Sequence, residues 1–262
     1  MKRTIALILF FFGYQLLFQT LAVGLWALVQ VVGGVPLGKL AGASPSLGCV
    51  LAGQAVATVA IGLHVWWAGD VSRESRTWSV VSAGSLLACV LLMLGMGTWT
   101  NLLTELLRLP DYHAGLVREM MGRPLGVLSI VLLAPVAEEL LFRGAVQRQL
   151  MVTWHHPAGA VCASALIFGL VHANPAQMPF AALMGLVLGW VYYRTGSLLL
   201  CIVMHLVNNG SSVLLYHLSG ASAAEVTMVE ALGETGAYAT AAVGLLLAVG
   251  CVGWLQGRCK NG

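Results

Sequence analysis

Eight stretches of this chain are too apolar for water and leave little sequence between them for anything else. They run over residues 5–32, 47–67, 80–103, 125–150, 158–172, 180–193, 198–218 and 238–255. Hydrocarbon offers no water to satisfy a free backbone N–H or C=O, so each stretch must close its hydrogen bonds on itself. The pattern predicts an all-α fold, a polytopic membrane helix bundle of about eight transmembrane helices. Composition agrees. Charged residues are 9% of 262, against roughly 25% in an ordinary soluble domain, and mean hydropathy is +0.88. No internal repeat or second domain interrupts the run, so residues 1–262 read as a single integral-membrane domain.

The opening MKRTIALILFFFGYQLLFQTLA imitates a signal peptide, but its apolar stretch continues to Val32. That is far past the roughly 7–15 residues of a signal core, so a retained first span is expected. The net charge of +3 is small and sits near the ends of apolar runs. Such a distribution orients membrane spans and leaves no nucleic-acid footprint. Six cysteines show no paired spacing, and five fall inside apolar runs, where free cysteine behaves as a small hydrophobe.

If every segment crosses, Lys2, Arg3, Arg73, Arg76, Arg148, Arg194, Arg258 and Lys260 fall on one side. Glu225, Glu230 and Glu234 fall on the other. The positive-inside rule then puts both termini in the cytoplasm, as expected of a multi-pass protein of a prokaryotic cell membrane. DYHAGLVREMMGRP, residues 111–124, is expected to form an interfacial helix on the outer face, with Pro124 opening the next span. Segments five and six, at 15 and 14 residues, fall short of the roughly 20 needed to cross. Their connection is therefore expected within the membrane's depth, with His172 drawn toward the midplane.

Ionisable groups inside spans are expensive, so each is a functional candidate. In segment four, VAEELLFRGAVQRQL puts Glu139 and Arg143 at i,i+4, a pairing distance. Glu138 lies roughly 100° away round the helix and is left free to meet something else. Segment five closes on FGLVHA, with Phe168 and His172 on one face. Segment seven holds HLVNN, with His205 and Asn209 one turn apart. Taken singly, the histidines and Asn209 would serve as interhelical hydrogen-bond glue. Together, two carboxylates, two imidazoles and an amide could run a hydrolysis, with a base for water and donors for an oxyanion. They could equally run a proton relay, as in a proton-coupled transporter. Residue types leave both open.

EELLFR, FGLVH and HLVNN, in that order on successive apolar helices, resemble the EExxxR, FxxxH and HxxxN motifs of the CAAX-protease and bacteriocin-processing (CPBP) family of intramembrane endopeptidases. The resemblance covers about residues 120–217. It implies that Glu138 is the general base toward the attacking water and that His172 helps hold that water. It implies that His205 and Asn209 face the oxyanion, with Glu139 and Arg143 in support. Peptide or protein substrates in or at the bilayer are expected: prenylated CAAX C-termini, or bacterial peptides and their leaders. The resemblance also implies catalysis without a cofactor. Zinc on Glu138, His172 and His205 is the alternative, an open two-histidine, one-carboxylate site. No HExxH pair accompanies it.

Overall fold

The computed structural model describes residues 2–40, 42–219 and 226–258, so Glu225, Cys259 and Lys260 lie outside the described residues. Those residues form helices and connections, with no strand among them. The helices are α1 (Lys2–Val32), α2 (Leu47–Trp67), α3 (Ala83–Leu107), α4 (Ala114–Met121), α5 (Pro124–Trp154), α6 (Pro157–Leu170), α7 (Gln177–Thr195), α8 (Leu198–Ser219) and α9 (Met228–Arg258). Every apolar segment is helical. Six helices, α1, α2, α3, α5, α8 and α9, are long and apolar enough to cross a membrane, against the eight expected. The other two fall short for physical reasons. α6 has 14 residues, about 21 Å at the helical rise, against a hydrocarbon core of about 30 Å. α7 has 19 residues but begins at Gln177 and ends on Tyr192, Tyr193 and Arg194.

Boundaries follow local chemistry. Ser46 caps α2 by accepting from Cys49 N at 3.3 Å, and Ser82 caps α3 by accepting from Ser85 N at 3.0 Å. Pro124 and Pro157 occupy first turns, where a missing N–H costs nothing. Within the 111–124 segment the structure has a short helix, α4, with no buried residue. α9 breaks at Gly233, whose φ of 70° suits glycine.

Lipid tails are as apolar as leucine, so helices in a bilayer associate through close packing of small residues and through hydrogen bonds. Both devices are in use. On α7, Ala181, Gly185 and Gly189 form a small face. A Cβ on Gly185 would come within 2.9 Å of the Ala165 Cα of α6. α3 and α9 cross at Gly95 and Gly244, where a Cβ on Gly95 would run into the Gly244 carbonyl. α5 is central, with residues 139–146 all buried. α1 lies at the edge and exposes Leu9, Leu16, Leu25 and Val32, an apolar surface that suits lipid.

Contacts at the two ends sort the loops. Arg3 pairs with Asp70, whose carbonyl accepts from Arg148 at 3.2 Å. Arg76 donates to the Thr195 carbonyl at 3.1 Å, and Arg194 to the Gln256 carbonyl at 3.1 Å. These basic residues share one end. At the other, Glu105 accepts from Met228 N at 2.9 Å and caps α9, and Asp111 meets Asn174.

Candidate active site

α5 carries the first motif and is not a regular α-helix. Ser129–Leu133 and Leu140–Gln147 are wide, π-helical turns with i→i+5 bonding. The first has a traceable cause. Ala134 N reaches back to the Ser129 carbonyl, so the Ile130 carbonyl should receive the N–H of residue 135. Residue 135 is proline and has none. The orphaned carbonyl is taken by Asn209 Nδ2, from α8, at 2.9 Å. Asn208 Nδ2 donates to Asn209 Oδ1 at 3.0 Å and fixes the amide's orientation. One Nδ2 proton of Asn209 is thus committed, and the second remains for another acceptor.

Glu139 and Arg143 form the pair expected from their spacing, Nη1 to Oε1 at 2.7 Å, with both side chains at most 1% exposed. The same Oε1 accepts from His205 Nδ1 at 2.8 Å. A carboxylate can only accept, so His205 Nδ1 carries a proton, and its Nε2 faces Glu138 Oε2 at 3.8 Å. Arg143 also donates to the Gly185 carbonyl at 3.3 Å and lies 4.6 Å over the Phe168 ring. A buried charge network of this kind is costly to break. Removing one partner of such a pair typically costs about 3–5 kcal/mol, because the other charge is stranded.

Phe168 is the hub that joins the motifs. His172 and His205 both stand edge-on to its ring, at 5.0 and 5.9 Å between centroids, and Phe142 does so from α5 at 5.0 Å. His172 Nδ1 donates to the Phe168 carbonyl at 2.8 Å, which leaves Nε2 as the acceptor in the neutral ring.

Glu138 is set apart from this network. Its side chain is 23% exposed and, among the described residues, makes no hydrogen bond. It lines a cavity of about 40 Å³ with Phe11 and Gln15 of α1 and Gln54, Thr58 and Ile61 of α2. That is room for two or three waters, with polar partners to hold them.

The six residues singled out in the sequence are joined to different degrees, and of them only Glu138 lines the cavity. Glu139, Arg143 and His205 bond directly, Glu138 faces His205, His172 shares the Phe168 ring, and Asn209 is tied to α5. Among the described residues no three His, Cys, Asp or Glu side chains converge on a metal position. Other contributors have no signature in the sequence. Gln147 donates to the Gly189 carbonyl at 2.8 Å, and Ser164 to the Phe142 carbonyl at 3.1 Å. Both tie α5 to the short helices through backbone acceptors, which no motif marks.

Residues 121–211, from the end of α4 to the middle of α8, match the family model of the type II CAAX prenyl endopeptidase Rce1-like proteins. No curated protein and no solved structure gives a significant match. The family match encloses all three motifs, whereas the α1 and α2 residues that line the Glu138 cavity lie outside it. Over residues 121–211 the protein is similar to the type II CAAX prenyl endopeptidase Rce1-like family, a family of peptidases.

Proposed function

We propose that this protein hydrolyses peptide bonds of membrane-associated substrates with a water activated by Glu138. The observation that carries the reading is the unequal treatment of adjacent carboxylates. Glu139 is paired with Arg143 and accepts from His205, whereas Glu138 has no hydrogen bond and opens on a cavity of water size. A general base needs that freedom, within reach of a water.

In the proposed step, Glu138 takes a proton from a water between it and His172 as the water oxygen bonds to the scissile carbonyl carbon. The Nε2 lone pair of His172 helps orient that water. The carbonyl oxygen becomes an oxyanion, and the uncommitted Nδ2 proton of Asn209 and, in the imidazolium form of its ring, His205 Nε2 donate to it. The C–N bond then breaks as Glu138 passes its proton to the leaving amine. Glu139 and Arg143 keep His205 oriented, and Phe168 and Phe142 keep the surroundings apolar, where these electrostatic interactions are strengthened.

Substrates follow from the domain: C-terminal segments of prenylated CAAX proteins, or in bacteria secreted peptides and their leaders. All eight apolar segments of the chain enter the bilayer of a prokaryotic cell membrane, six of them long enough to cross it. The basic end, with both termini, faces the cytoplasm. Purified protein in proteoliposomes should cleave a farnesylated CAAX reporter peptide, with one heavy oxygen from labelled water in the new carboxyl group. Substrate left intact across a panel of prenylated CAAX peptides and bacterial leader peptides would refute the assignment.

A further inference from the structure

We infer that Asn174 and Asp111 form a latch that sets the position of His172, making Asn174 a positioning residue for the reaction. The inference rests on the proposed hydrolytic role of the site. Asn174 lies two residues past His172, in the α6–α7 connection, and is wholly buried. Its Nδ2 donates to Asp111 Oδ1 at 2.8 Å, and its Oδ1 accepts from Tyr112 N at 3.1 Å. Asp111 Oδ1 also accepts from His113 N at 2.9 Å, which fixes the carboxylate. The amide thus bridges two loops that are more than sixty residues apart in the chain.

Two features separate this role from ordinary helix capping. The start of α7 is served by the backbone carbonyl of Asn174, which accepts from Gln177 N at 2.9 Å and Met178 N at 3.0 Å. The side chain serves only the 111–112 loop. Between His172 and Asn174 lies Ala173 at φ 49°, a left-handed conformation that a Cβ disfavours. Such a residue persists where its surroundings over-determine it. His172 is held on one side by its bond to the Phe168 carbonyl and on the other by this strained residue and the latch. Without the latch the strained turn can relax and carry the imidazole with it.

The latch needs one donor and one acceptor, so it can be broken and remade. Asn174→Asp sets two carboxylates face to face with no donor. Asp111→Asn keeps an acceptor for Asn174. Combined with Asn174→Asp, it returns a donor–acceptor pair of reversed sense. The experiment measures kcat and KM on a farnesylated CAAX reporter peptide, with Glu138→Gln in parallel. Histidine labelled at the ring nitrogens reports the resonances of His172 in the same nanodisc samples.

Asn174→Asp is expected to lower kcat by roughly tenfold or more with KM within about twofold, since a displacement of about 1 Å can cost a hundredfold. Its His172 resonances should shift. Asp111→Asn should stay near wild type, and the combined variant should recover both rate and resonances. Where Asn174→Asp fails to fold, Asp111→Ala takes its place, with the same expected loss. Wild-type kcat in the latch-broken variant, or a loss that the combined variant does not recover, overturns the latch. Turnover that survives Glu138→Gln overturns the role of Glu138 as base instead, and the His172 resonances then still test the latch.

Discussion

Asn209 Nδ2 stands 2.9 Å from the Ile130 carbonyl, the acceptor that Pro135 leaves without a donor. One side chain of α8 thereby completes the backbone of α5, the helix that carries Glu138 and Glu139. Asn209→Ala should strand that carbonyl and cost about 1–3 kcal/mol. Pro135→Ala supplies the missing N–H, so in its background Asn209→Ala should cost less. A double-mutant cycle of thermal unfolding in detergent measures this, with a coupling of about 0.5–3 kcal/mol expected. Strict additivity would refute the coupling.

The two glutamates should separate on stability. Glu139→Gln leaves Arg143 and His205 facing a neutral amide in a buried site, and a loss of about 3–5 kcal/mol is expected. Glu138→Gln removes a carboxylate that makes no hydrogen bond, so its melting temperature should match wild type. Equal melting temperatures for the two variants would contradict the network.

Gly185 should not tolerate a methyl group. A Cβ there meets the backbone of Ala165 at 2.9 Å, so α6 and α7 must part and the Arg143 bond to the Gly185 carbonyl must lengthen. Overpacking of this kind costs about 1–3 kcal/mol. Gly185→Ala should lower both melting temperature and kcat. Gly250→Ala, where a Cβ meets nothing within 4 Å, should change neither.

The proposed topology can be read by labelling. Single cysteines at Ser75 and Tyr112, both exposed and at opposite ends of the bundle, are introduced into a cysteine-free background. A membrane-impermeant maleimide applied to intact cells should modify Tyr112→Cys, with Ser75→Cys labelled only after lysis. Labelling of both from outside would refute the orientation.

Much of the site was legible where the chemistry is local. The Glu139–Arg143 pair follows from i,i+4 spacing, and the 47–67 segment coincides with α2 residue for residue. Hydropathy marks where a helix is needed but is blind to its hydrogen-bond register, so the π turns of α5 were not foreseen. Pro135 inside a span was the available sign. The bond from Glu139 to His205 joins residues on different helices, and nothing in either motif states which glutamate the imidazole takes. The Asn174 latch was hidden for the same reason, since its partner lies in another loop. Segments 158–172 and 180–193 were read as short; α6 is, at 14 residues, but α7 runs to 19 because polar Gln177 and Arg194 extend the helix beyond its apolar part.

The central claim is that Glu138 is the base. Single-turnover cleavage of a farnesylated CAAX reporter peptide by wild type and Glu138→Gln, both folded and at equal peptide occupancy, tests it most directly. A fall of roughly a hundredfold or more in the cleavage step, with peptide binding unchanged, is the result expected of a lost general base. Cleavage by Glu138→Gln at the wild-type rate would contradict the account.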